Sequence, residues 1–210
     1  MKQNLNRAFN QQNPPTDKEL TDFVLAAGDG KNAAVNDFLD KYPDAIDTPG
    51  GEDHFYVLRT ALMQAAENAS VDTVKLLLNR GANINAANVE GQTALYHAAR
   101  SGKTEIVKAL LSHGANIHDQ NEKWLLTTAL RRSDVEFVKV LLTYGASFHD
   151  KTGSTALKIV RDRIQEVEAD KSLENDPERK KKLLKAANQI QNLLLLRTKI
   201  PKINARKNTP

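Results

Sequence analysis

The sequence predicts an all-α solenoid built from helix–turn–helix units with extended finger loops. Three observations carry that expectation. First, Thr60-Ala-Leu-Met-Gln-Ala-Ala66, Thr93-Ala-Leu-Tyr-His-Ala-Ala99 and Trp124-Leu-Leu-Thr-Thr-Ala-Leu130 superpose. Second, each is followed by an apolar stripe: Val74–Leu78, Val107–Leu111 and Val138–Leu142. Third, each stripe ends at a Gly-Ala pair, Gly81-Ala82, Gly114-Ala115 or Gly145-Ala146. The spacing is 33 residues from Thr60 to Thr93 and 31 for each of the next two steps, to Trp124 and to Thr155. A fixed period of this size means that each unit is one supersecondary element, which buries its apolar faces only by stacking on its neighbours.

The first element is a degenerate copy at 16–47. Thr16-Asp-Lys-Glu19 reads as a capping box after Pro14-Pro15, and opens a helix through Thr21–Ala27. Ala34–Leu39 supplies its second helix. The second unit spans 56–88 and the third 89–119. In the third, Thr93 starts a short helix whose small Ala98 and Ala99 let a neighbour approach closely. Gly102 and Gly114 are placed to end the two helices in the left-handed conformation, which costs glycine no Cβ clash. Between them Ile106, Val107, Leu110 and Leu111 form one helical face. The fourth unit is expected at 120–150. Ala69 and Ser133 stand where the other turns carry glycine, and Trp124 stands where Thr is expected. Trp124 is either a core filler or an exposed anchor, and core filling is favoured because Leu125 and Leu126 follow it.

The last unit, 151–198, reads as an extended helical cap. Leu157, Val160, Ile164 and Val167 form a long stripe. Asp176-Pro177 reads as the cap and first residue of a helix that puts Leu183, Ala187, Ile190 and Leu194 on one face. Residues 1–15 and the basic 199–210 are expected to be tails.

These residues resemble the ankyrin repeat, most fully in Gly91–Gly102, Glu105–Leu111 and Gly114–His118. The resemblance spans roughly 16–196 and weakens at both ends. It implies about five units including the end caps, and a protein partner bound in a concave groove formed by the finger tips and the exposed side of the first helices. Carried to matching positions, the finger side gives Phe55, Tyr56, Arg59, Val89, Glu90, Gln92, Gln120 and Lys123. The helix ends give Glu67, Asn68, Arg100, Ser101, Arg131 and Arg132. Phe55-Tyr56 lies on the longest finger, 14 residues from Ile46 to Thr60 against 9 from Ile84 to Thr93. The pair is either an aromatic anchor for a partner or a lid folded over the first helices. The arginines suit an acidic partner patch, or form a solvated edge paired with Glu67 and Glu90.

Composition narrows the alternatives. The chain has 210 residues, a net charge of +4 and no cysteine, which excludes thiol catalysis and disulfide or Cys–zinc scaffolds. Residues 1–150 carry 15 Lys/Arg against 19 Asp/Glu, whereas 151–210 carry 15 against 7. A basic C-terminal helix, Arg179 to Lys185, with the tail Lys199–Lys207, is therefore a second candidate surface, for nucleic acid or an anionic membrane. No phosphate-loop, nucleophile-elbow or zinc-protease motif is present, and Gly28-Asp-Gly30 reads as a turn after a helix. His118 and His149 fall one unit apart at the finger bases, in register with Asn85, and His97 reads as a hydrogen-bonded structural residue. The expectation is a non-catalytic, monomeric interaction protein of the cytoplasm, with no cofactor, metal or small-molecule substrate.

Overall fold

The computed structural model describes residues 14–50, 59–118, 122–146 and 156–199. The chain divides into two compact units, Met1–Asn121 and Glu122–Pro210. The first holds three helix pairs: α1 (Asp17–Gly28) with α2 (Asn32–Lys41), α3 (Ala61–Asn68) with α4 (Val71–Asn79), and α5 (Ala94–Arg100) with α6 (Thr104–Ser112). The second holds α7 (Glu122–Arg132), α8 (Val135–Thr143), α9 (Ala156–Ala169) and α10 (Pro177–Lys199). No strand occurs among the described residues; two isolated antiparallel bridges, Gly50–Arg59 and Ala87–Thr93, close the bases of two fingers.

Layering in the first unit follows side-chain size. The first helices stack α1 on α3 and α3 on α5. At those faces Ala27, Ala65, Ala66, Ala98 and Ala99 are completely buried, so the helix axes approach without a large side chain between them. The second helices bring the bulk: Val74 and Leu77 from α4, and Val107 and Leu110 from α6, have no exposed surface. Thr60 and Thr93 cap α3 and α5, accepting from the amides of Met63 at 3.3 Å and Tyr96 at 3.4 Å. The capping box at α1 is complete. The Glu19 amide donates to Thr16 Oγ1 at 3.2 Å and the Thr16 amide donates to Glu19 Oε2 at 2.9 Å.

The predicted left-handed helix ends are present, with φ 68° at Gly102 and 92° at Gly114. The two units lacking glycine solve their turns differently. Ser133 takes the left-handed conformation despite its Cβ, at φ 54°, whereas Ala69 avoids it with φ −83° and an extended ψ. Gly50 is needed for space: a Cβ there would stand 2.6 Å from the carbonyl oxygen of Leu20.

A polar ladder ties successive fingers at their bases. The Asn83 amide donates to both carboxylate oxygens of Asp47, at 2.9 and 3.1 Å. The Asn85 amide then donates to Asn83 Oδ1, the Asn116 amide to Asn85 Oδ1 at 2.8 Å, and the His118 amide to Asn116 Oδ1. Asn85 and His118 thus do occupy equivalent places, as their spacing predicts; His149 lies outside the described residues.

In the second unit α7 packs on α8 and α9, and α10 packs on both α8 and α9. Asp134 caps α8 by accepting from the Phe137 amide at 2.9 Å. Asp176 opens α10 by accepting from the Arg179 amide at 3.0 Å, with Pro177 as its first residue. Ala187, Ile190 and Leu194 are buried, so α10 is core as well as cap. One expectation is corrected. Trp124 is not at a helix start in place of the Thr cap, because α7 begins at Glu122; its ring is half-buried and not a full core filler.

Candidate functional site

The first unit gathers a polar cluster where α3 meets α5. Arg59, at the finger base ahead of α3, donates through Nη1 to Gln64 Oε1 at 3.2 Å and forms a close ion pair with Glu67 at the end of α3. Both partners are largely shielded, with 16% and 18% of their side-chain surface exposed. His97 of α5 is fully buried, its Nδ1 3.6 Å from Glu67 Oε2. Neither of its ring nitrogens has a hydrogen-bond partner among the described residues. The hydrogen bond expected of it is therefore not made, because Glu67 is committed to Arg59. Burial first, then the charges of Arg59 and Arg100, push the imidazole down to about 4, and Glu67 only partly offsets them. At neutral pH it is uncharged.

The second finger provides the other element. Asn88 fixes its tip by accepting from the amides of Glu90 at 3.0 Å and Gln92 at 2.9 Å, while its Nδ2 donates to Gln92 Oε1. The chain reverses at Gly91 with φ 72°. Val89 is held outward at 82% exposure, the largest value among the exposed bulky apolar side chains of the described residues. Sequence reading misses Asn88, Gln64 and His97 as members of these clusters. An Asn two residues before Glu90 is the local signal for the first; Gln64 meets Arg59 within one repeat, and His97 needs the pairing of residues from different repeats.

Of the candidate residues, Arg59, Glu67, Asn68, Val89, Glu90, Gln92, Arg100 and Ser101 lie in the first unit. Arg59 and Glu67 are turned to each other. Asn68, Val89, Glu90 and Arg100 are exposed, and Gln92 and Ser101 are half-buried. Arg131 and Arg132 are exposed at the end of α7 in the second unit. Phe55, Tyr56 and Gln120 lie outside the described residues, as does the side chain of Lys123. The alternative surface is also in place: Arg179, Lys181, Lys182 and Lys185 are exposed on the first turns of α10, with Glu178 3.8 Å from Lys181. Among the described residues no helix is long and apolar enough to cross a membrane, and no three His, Asp or Glu side chains converge as a metal site.

The family described as ankyrin repeats (3 copies) matches residues 23–121. No curated protein matches the chain. Ankyrin repeats are generally protein–protein interaction modules, and proteins built from them are typically non-enzymatic scaffolds. The Thr caps, alanine-lined first helices, apolar second helices and bridged fingers are the features by which the matched segment folds. Residues 23–121 are thus ankyrin repeats.

Proposed function

We propose that the chain is a non-catalytic interaction module that holds a protein partner on the second finger tip and the exposed ends of the first helices. The observation that carries this reading is the tip itself. Val89 is an apolar side chain in solvent, on a turn whose backbone Asn88 has already fixed. A preorganised tip loses little entropy on binding, and a desolvated apolar anchor ringed by polar groups is how small contacts gain affinity. Glu90 on the same tip and Arg100 at the end of α5 are exposed charges of the first unit, and an exposed arginine favours an acidic patch on the partner. In this reading Arg59 and Glu67 are framework for the site, since they are paired with each other. Phe55 and Tyr56 extend the contact from the first finger. The module takes no small-molecule substrate or cofactor and works as a cytoplasmic monomer.

The test is affinity capture with the intact chain, followed by titration of the captured protein against Val89→Asp with Arg100→Glu. The expected loss is at least about tenfold in affinity, or ~1.4 kcal/mol, with unchanged thermal unfolding. Equal affinity for the two chains would refute the assignment.

A second reading is favoured by the four exposed basic residues on α10, which suit an anionic surface. Deleting the helix cannot test it, because Ala187, Ile190 and Leu194 are core. Lys181, Lys182 and Lys185→Ser leaves that core intact. Binding abolished by these changes and by raised salt, and untouched by the tip variant, would favour this surface over the first.

A further inference from the structure

His97 is an anomaly in the first unit. Buried polar groups nearly always find hydrogen-bond partners, yet this imidazole has none among the described residues and no exposed surface. Its Nδ1 lies 3.6 Å from a carboxylate oxygen of Glu67, the same carboxylate that fastens Arg59. Arg59 in turn belongs to the finger base, where its carbonyl oxygen accepts from the Gly50 amide at 3.2 Å. The charged groups that face the ring are Arg59 from the segment ahead of α3, Glu67 from α3 and Arg100 from its own helix. On α6, the other helix packed against α5, Glu105 and Lys108 are exposed. The equivalent positions of the adjacent copies hold Gln64 and Thr128, which do not titrate. Ionisation therefore enters this row of side chains at His97 alone among these three copies.

We propose that His97 makes the α3–α5 contact acid-sensitive, protonation drawing Glu67 from Arg59 and loosening the Gly50–Arg59 bridge. The imidazolium has nowhere to go in the closed arrangement: it is out of water and faces two guanidiniums across a single carboxylate. Once α3 and α5 part locally, water solvates it and the penalty disappears. In the closed state burial and the arginines hold the ring near 4, whereas a solvated ring titrates near 6.5. Between those values the open state binds more protons, so closure is at full strength above 6.5 and is lost as pH falls toward 4. Each pH unit within that window shifts the opening equilibrium by about tenfold. The mechanism is independent of any partner and holds whether or not the interaction surface above is correct.

Amide hydrogen exchange of the full chain reads the opening directly. The reporters are the Gly50 amide on the bridge and the Ala69 amide, which donates to Ala65 at 2.9 Å at the end of α3. Protection factors, corrected for the intrinsic exchange rate, are measured from pH 7.5 to 4.5 for the wild type and for His97→Gln. Gln is chosen because Gln64 fills the equivalent place in the preceding copy. The expected result is a loss of about tenfold per pH unit below 6.5 in the wild type, with little slope in the variant. Equal slopes in the two chains, or no slope in the wild type, would overturn the proposal. Titration of the wild-type imidazole followed by NMR keeps the test open should the variant fail to fold. A midpoint well below 6.5 supports the latch, and one at or above 6.5 overturns it.

Discussion

At Ser133 a residue with a Cβ occupies a left-handed turn, and its hydroxyl is buried without a hydrogen-bond partner among the described residues. Both features cost stability, the first because Cβ crowds the following carbonyl. Ser133→Gly is expected to stabilise the second unit by about 1 kcal/mol, read as a raised midpoint in denaturant unfolding. Ala69→Gly is expected to destabilise by roughly 0.5–1 kcal/mol, since Ala69 already sits at φ −83° and glycine adds only unfolded-state freedom. Opposite signs at two sites that look alike in sequence follow from their backbone angles alone. Glu19 gives a second residue-scale test. Its carboxylate accepts from Lys41 at 2.8 Å, closes the Thr16 capping box and accepts from the Tyr42 hydroxyl at 3.0 Å. These partners, Lys41 foremost, lower it from 4.5 to about 2. A lowered carboxylate contributes stability that is complete above 4.5 and is lost as pH falls toward 2. In Glu19→Gln the acid limb of a stability–pH curve is expected to flatten across that window; an unchanged limb would mean that the three contacts do not persist in solution.

Helices and fingers show how the chain encodes its elements. The Thr caps, the paired alanines and the Gly-Ala stops recur at fixed places, and each states a local rule that the neighbours repeat. For that reason the helix pairs at Ala61–Asn79 and Ala94–Ser112 were legible without coordinates. The start of α7 was not, because Trp124 replaces the Thr that marks the cap, and the helix runs back to Glu122. The polar clusters were less legible still. Arg59, Glu67 and His97 come from two repeats, and only the stacking of α3 on α5 brings the imidazole to the carboxylate. The ladder through Asp47, Asn83, Asn85 and Asn116 likewise joins side chains of one finger to the backbone of the next. Periodicity reveals that such residues are equivalent, not that they bond. Packing supplies the element-scale prediction. Leu110 of α6 has no exposed surface, in a layer it shares with α4. Leu110→Ala is expected to cost ~2–5 kcal/mol by lost burial and a residual cavity. A negligible change in thermal unfolding would contradict the assigned register.

The whole molecule carries its charge unevenly. Residues 151–210 hold 15 Lys/Arg and 7 Asp/Glu, the reverse of the balance before them. Yet the basic helix α10 also presents Ala187, Ile190 and Leu194 to the second core, so its sequence answers to folding as well as to any partner. The first unit offers a different kind of surface: a turn tied by Asn88, an exposed Val89, and the exposed charges of Glu90 and Arg100. In the proposed reading, binding there rests mainly on apolar contact and weakens only modestly with salt, whereas binding at α10 is expected to fall steeply with it. The measurement that separates the two is the affinity of one captured protein for four forms of the sample. These are the intact chain, Val89→Asp with Arg100→Glu, Lys181, Lys182 and Lys185→Ser, and the intact chain at raised salt. An interaction module of the proposed kind loses at least about tenfold in affinity with the tip variant and keeps most of it in the other two. Full affinity in the tip variant, with loss in the lysine variant and at raised salt, would contradict it.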